Sequence, residues 1–291
     1  MAIFDSVAEL LQTCEEKNMP LWQAVMHYSA KETGISEELS WQKMTKRLWA
    51  MQSADSHYDP CMRSRSGLVG GDGQKVKEYF ESGKAISNEF IGEILAGAVR
   101  MGECNACMHR IVAAPTAGSC GVIPAVLLPY AKKYNIPDNE LVKALYVTAG
   151  FGSVIANRAS VSGAEAGCQA EIGSAAAMAA AALVYLHGGT NEQMAHAVAI
   201  AIKNVLGLVC DPVAGLVEVP CVKRNAIGAM NALTSAELAL AGVTSRIPTD
   251  EMIDAMQIVG ESLPVALRET GKGGTAATPT ARKFKKEFFG E

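Results

Sequence analysis

Apolar residues return at steps of three and four along nearly the whole chain, and no run of alternating Val, Ile, Thr and aromatic residues appears. The pattern predicts an all-α protein. Ser6 with Glu9 reads as a capping box ahead of Leu10 and Leu11. A second helix begins after Pro20, and a third after Ser36 carries Trp41, Met44, Leu48 and Met51 on one side. Helical spacing resumes from Ser87 to about Arg110, with Ile91, Ile94, Leu95 and Ala98 forming one face. Asp138 caps a helix running towards Ala156. Thr190 with Gln193 makes another capping box, for a helix through Met194, Val198, Ile202 and Val205 that stops at Gly207. Two more helices are expected, from Val222 to about Leu240 and from Asp250 to about Glu261.

One stretch lacks a polar face. From Ala164 to His187 the alanines are so dense that the pattern predicts a single helix, buried on every side and about 36 Å long at about 1.5 Å per residue. It would be the central post of the molecule, with Cys168 in its first turn. Two other stretches break the helical pattern. His57 to Gly73 contains RSRSGLVGGDG, a loop that either turns sharply or approaches a ligand; it lacks the spacing and the Lys-Ser/Thr ending of a phosphate-binding loop. The last segment, RETGKGGTAATPTARKFKKEFFGE, has the composition of a tail that is either loose or folded over a site. We expect an N-terminal helical lobe at 1–56 and a main domain at 57–291, packed as one unit.

The composition narrows the class. With 291 residues, 49% of them hydrophobic, the chain buries a substantial core, and a net charge of -4 without a basic stripe argues against nucleic acid as a partner. The N-terminus resembles neither a signal nor a transit peptide, and the run from Ile172 to Leu186 is too short to span a bilayer. A cytoplasmic protein without a membrane anchor is the expectation. In that compartment its eight cysteines are expected to be reduced thiols or metal ligands rather than disulfides.

The segment from Gly207 to Asn225, GLVCDPVAGLVEVPCVKRN, places two of them in a loop stiffened by Pro212 and Pro220, so that Cys210 and Cys221 sit at two helix ends. Gly163 and Gly167 precede a third, Cys168. Three thiolates at helix ends are able to converge, although a free cysteine is more often simply a small core residue. Cys104 and Cys107 form a CxxC without a second pair at zinc-site spacing, and read as helical side chains one turn apart. In APTAGSCGVIPAVLLPY, Thr116, Ser119 and the amides near Gly118 and Gly121 lie at a helix start, where free N–H groups favour a carboxylate. Lys223, Arg224 and Asn225 occupy the first turn after the cysteine loop. Two basic residues there call for a compensating negative group, unless both simply point into solvent.

The segments GAEAGCQAEIGSAAAMAAA, GLVCDPVAGLVEVPCVKRNAIGAMNAL, APTAGSCGVIPA and SGLVGGD together resemble the alpha chain of bacterial iron-sulfur-dependent L-serine dehydratase, over nearly the whole chain. The resemblance implies a [4Fe-4S] cluster held by Cys168, Cys210 and Cys221 with one iron left open, and deamination of L-serine to pyruvate and ammonia. An open iron suits Lewis-acid chemistry, whereas four cysteines would suit electron transfer. Thr116 matches the position suggested for a base or substrate contact, and His109 is a chemically more natural base nearby. Ser66, Ser119, Lys223 and Asn225 are the candidates to hold the substrate. The Ser-Ser-His-Thr segment of the single-chain relatives is missing, as is a C-terminal cysteine, which implies a separate beta subunit that completes the site. Two alternatives stay open: a related cluster-dependent lyase acting on L-threonine or L-cysteine, and a non-catalytic scaffold braced by metal.

Overall fold

A computed structural model describes residues 3–290; their regular structure is all helical, and the one β contact among them is an isolated bridge. The first three helices, α1 (Val7–Glu16), α2 (Leu21–Thr33) and α3 (Glu37–Ser56), begin where the capping pattern places them. Ser6 Oγ accepts the Glu9 amide at 2.9 Å, but the Glu9 carboxylate reaches past Ser6 to the Asp5 amide at 2.7 Å. The next helix, α4 (Asp72–Glu81), is absent from the hydrophobic pattern, because its sequence DGQKVKEYFE is mostly polar and buries only Gly73. A side chain anchors it instead. Glu103, fully buried on α5 (Glu89–Ala106), accepts the Asp72 and Gly73 amides at 2.7 and 3.2 Å and a hydrogen bond from Tyr58 Oη at 2.5 Å.

After α6 (Val122–Tyr134), α7 (Asp138–Arg158) takes Pro137 as its cap, and Asp138 is its first residue rather than its cap. The Ala-rich stretch departs from the single long helix expected of it. It divides into a short α8 (Gly163–Ala166), a π turn (Gln169–Gly173) and α9 (Ser174–Leu186). Gly167 makes the division with φ +76, ψ 176, a conformation that excludes helical continuation. Periodicity cannot reveal such a break where every position is apolar. Cys168 therefore opens the second helical piece, directly after the break at Gly167.

The central role of the alanines survives this change. Every residue from Ser174 to Val184 is buried, and α6, α7, α10 (Asn191–Lys203) and α11 (Cys221–Leu240) pack around α9. Methyl side chains let several helices approach one post at once. The same economy operates at Gly228 on α11, where a Cβ would come within 2.8 Å of Val122 and 2.9 Å of Ile172. The capping box at Thr190 is complete in both directions. Helices α2 and α3 pack on α7, α12 (Thr249–Ser262) packs on α8 and α10, and the apolar core runs continuously from Phe4 to Met256. The stretch Gln169–Leu186 has the length and hydropathy to cross a bilayer but is 83% buried inside the protein.

The final segment is folded over its neighbours. Two 3-10 turns and α13 (Pro279–Phe289) follow α12, and the backbone of residues 267–269 pairs with Cys210: the Cys210 amide donates to Leu267 O at 2.9 Å, and the Glu269 amide donates to Cys210 O at 2.7 Å.

Candidate functional site

Cys168, Cys210 and Cys221 come from three separate segments, and identifiable contacts bring those segments together. Gln169, fully buried, stitches the first to the second: its amide donates to Leu208 O at 3.0 Å, and its side-chain oxygen accepts the Gly207 amide at 2.8 Å. Its Nε2 donates to Met256 O on α12 at 2.9 Å, so no polar atom of the side chain is left over. The loop between Cys210 and Cys221 closes on itself through Val213 N to Val219 O at 2.8 Å, with Ala214 and Gly215 both at positive φ in the turn. Cys221 is the first residue of α11. Gly163 leaves room where the segments meet, since a Cβ there would lie 2.9 Å from Cys210 Sγ and 2.7 Å from Glu171 Oε2.

Cys168 and Cys210 are buried and Cys221 is half-buried; Cys210 feels the charge of Cys168 and Cys221, and Cys221 feels that of Cys168. Burial pushes the Cys221 thiol up to about 12, with the charges of Cys168 and Glu171 adding to it. Burial likewise pushes Cys168 up to about 12, against the opposing pull of Arg224. Cys210 rises for the same first reason, reinforced by Cys168, Glu171, Glu269 and Cys221. Desolvation is thus the leading cause for all three thiols, and the Arg224 guanidinium pulls Cys168 and Cys221 the other way. Among the described residues, no three His, Cys, Asp or Glu side chains are gathered tightly enough to grip a single metal ion.

Both basic residues at the start of α11 have acidic partners, and only Arg224 is drawn out of solvent. Arg224 donates to Asp211 Oδ1 at 2.8 Å and to Val209 O at 2.7 Å, and it also hydrogen-bonds Cys168. Burial pushes the Asp211 carboxyl up, but the Thr275 amide and hydroxyl and the Arg224 guanidinium outweigh it and hold it below the usual carboxylate range. Lys223 reaches Asp72 Oδ2 at 3.2 Å, with its side chain exposed.

Thr116 is half-buried and donates to Glu171 Oε1 at 2.8 Å, and the fully buried Ser119 hydroxyl lies 3.2 Å from Thr116 Oγ1. The amide expected to receive a carboxylate at the start of α6 has another partner. Gly121 N donates to Asn225 Oδ1 at 2.8 Å, while Asn225 Nδ2 donates to Gly118 O at 2.8 Å and to Cys221 O at 3.1 Å. Asn225, 1% exposed, thus ties the 114–121 loop to α11. Ser66, together with Ser64, donates to Glu218 Oε2, docking the Gly/Ser-rich loop on the cysteine loop. His109 is exposed and its imidazole has no hydrogen-bond partner. The other four histidines are engaged elsewhere, with Glu37, Ser53 and Ser56, Tyr130, and Ser245.

The residue that pattern reading passed over is Glu171. It lies one turn after Cys168, and burial raises its carboxyl's pKa, partly countered by the Thr116 hydroxyl. The sequence signal was there, an acidic residue in an otherwise apolar run, but a presumed continuous helix gave it no direction. Asp211, Glu218 and Arg224 were likewise visible only as loop or cap residues.

The architecture is that of an all-helical protein in which three thiols, a guanidinium and a half-buried carboxylate meet at the ends of helices around one alanine-rich post. Residues 16–276 match the family model of the serine dehydratase alpha chain, and this chain belongs to that family. It is 49% identical to the probable L-serine dehydratase alpha chain of Bacillus subtilis, over 99% of this chain and 96% of the relative. It is 43% identical to the L-serine dehydratase alpha chain of Peptoniphilus asaccharolyticus over 99% of each. L-serine dehydratase TdcG of Escherichia coli is 36% identical over 94% of this chain, but the match covers only 61% of that longer protein.

Proposed function

We propose that this chain is the cluster-bearing subunit of an L-serine dehydratase, in which Cys168, Cys210 and Cys221 hold a [4Fe-4S] cluster and a separate beta subunit completes the site. The observation that carries this reading is the meeting of three thiols from three segments, with Gly163 leaving the space beside Cys210 Sγ clear. The donor set fits such a group: three cysteines, with a guanidinium next to one of them that favours its thiolate. The longer E. coli relative supports the role of a second chain, since this chain matches only part of it. When bound, the cluster supplies a Lewis-acidic iron for departure of the substrate hydroxyl.

The reaction removes the α-proton and the β-hydroxyl of L-serine as water. The resulting aminoacrylate tautomerises to an imine, which takes up water to give pyruvate and ammonia. Within this chain, Thr116 and Glu171 form a hydroxyl–carboxylate unit at the edge of the thiol site. Ser119 steadies Thr116, while Asn225 and Gln169 hold the loops that carry the unit and the cysteines. His109 has no contact that aims it at this point, which favours a proton acceptor other than His109.

The test is iron and acid-labile sulfide after anaerobic reconstitution, followed by pyruvate formation from L-serine with and without the beta chain. L-threonine and L-cysteine are run alongside. We expect about four irons per chain, as a [4Fe-4S] centre requires, with turnover in the paired protein and L-serine preferred. A protein that reconstitutes without iron yet forms pyruvate contradicts the reading.

A further inference from the structure

The mechanism above leaves the substrate's amino group unassigned, and one side chain at the site is equipped to receive it. Glu171 Oε1 takes the Thr116 hydroxyl, whereas Oε2 accepts no hydrogen bond among the described residues. That free oxygen lies 2.7 Å from where a Cβ of Gly163 would stand, on the side facing Cys210 Sγ. A Cβ at Gly118 would in turn sit 3.4 Å from Oε1, so bare backbone borders the carboxylate on two sides. The surrounding charge is unbalanced. Glu269 adds a second negative group close enough to act on both Glu171 and Cys210. It is held at φ 60, a conformation a non-glycine residue seldom adopts, by its backbone bond to Cys210. Arg224 acts on Glu171 from nearby, but its hydrogen bonds go to Asp211, Val209 O and Cys168, and those of Arg268 go to the carbonyls of Glu165, Glu261 and Leu263, so neither guanidinium caps Oε2.

We infer that Glu171 receives the substrate's α-ammonium group on its free carboxylate oxygen and so makes the site selective for amino acids over the corresponding hydroxy acids. This rests on the dehydratase function proposed above. Thr116 is then a positioning residue, fixing the carboxylate through Oε1 so that Oε2 faces the substrate. The binding step is an ion pair with a charge-assisted hydrogen bond, and no covalent bond changes in it.

The test uses the anaerobically reconstituted protein with its beta chain and two probes, L-serine and 3-hydroxypropanoate, which has the same carboxylate and hydroxyl but no amino group. Affinities are measured by calorimetry, with iron and sulfide determined on every sample. In Glu171→Gln we expect unchanged iron, L-serine binding weakened by about tenfold to a hundredfold, and 3-hydroxypropanoate binding changed by less than about twofold. If the Gln variant loses iron, Glu171→Asp keeps the charge but withdraws it by one methylene. It should weaken L-serine selectively and to a smaller extent. Equal weakening of both probes assigns Glu171 a structural role and overturns the inference, as does no weakening of either. Unchanged L-serine affinity with lost turnover overturns it too, in favour of a role in proton transfer. Wild-type protein without cluster or pyruvate formation overturns the proposed function itself, whereas an active wild type with an indifferent Glu171→Gln overturns only this inference.

Discussion

Two groups of three cysteines lie within this molecule, alike in burial and in their raised thiols but unlike in what surrounds the sulfur. Cys104, Cys107 and Cys120 sit at the end of α5 and in the loop before α6, with Cys104 feeling the charge of Cys107 and Cys120 that of Cys104. Their hydrogen bonds go to backbone carbonyls, Cys104 to Ala54 O at 3.8 Å and Cys120 to Met101 O at 3.5 Å. Burial pushes Cys104 up to about 11 and Cys120 up to about 12, a response like that of Cys168 and Cys221. Thiol proximity and perturbed ionisation therefore do not distinguish a site from a core. The distinction lies in what surrounds the sulfur. Around Cys168, Cys210 and Cys221 stand Arg224, Glu171 with a free oxygen, and the bare Cα of Gly163, on helical segments tied together by the buried amides of Gln169 and Asn225. The other trio has charged neighbours too, Glu103, Asp55 and Arg100 among them, but Glu103 is spent on the Asp72 and Gly73 amides and Arg100 on Asp55.

The sharpest test of this contrast is iron content. Cys168→Ala, Cys210→Ala and Cys221→Ala should each lose nearly all reconstituted iron, while Cys104→Ala and Cys107→Ala should keep it; equal loss in all five would erase the difference between the two groups. Next in size is the charge pair beside the first trio. In Arg224→Met the buried Asp211 carboxylate loses its cation, and urea unfolding should show a loss of about 3 kcal/mol. The pH dependence gives this prediction its sign. Asp211 is held below its ordinary value of 3.8, so its stabilisation is complete above that value and is lost as pH falls through the depressed one. The stability gap between wild type and Asp211→Asn should accordingly be widest near neutrality and close below about pH 4.

Asn225→Asp comes third. It keeps an acceptor for Gly121 N but removes the donor to Gly118 O and Cys221 O, at a cost of about 2 kcal/mol by the same unfolding measurement. The smallest effect concerns Ser174, directly after the π turn. Its hydroxyl is buried without a partner, and Ser174→Ala should raise stability by about 1 kcal/mol. A loss there would mean that the hydroxyl serves a group at the site.

How much of this was legible in the sequence depends on the kind of signal. The helical class, the starts of α2 and α3, the capping box at Thr190 and the buried alanine post followed from periodicity and caps, which are local. Helix α4 was not legible, because its stability comes from Glu103 on another helix rather than from its own apolar face. The break at Gly167 was hidden by alanines on both sides. At the site, the cysteines stood out by their Pro- and Gly-broken setting, whereas Glu171 and Asp211 owe their significance to partners far along the chain: Thr116 for one, Arg224 and Thr275 for the other. Pairings of that range leave no periodic trace.

The pairing of residues 267–269 with Cys210 also has a consequence for the order of events during synthesis. Helices α5 to α11 and all three thiols leave the ribosome before the segment that satisfies the Cys210 backbone and the Asp211 carboxylate. The growing chain thus passes through a stage in which the cysteine loop is formed but its outer side still faces water. The late-arriving strap then covers the Cys210 backbone and takes up the Asp211 carboxylate, completing last what the earlier segments leave open.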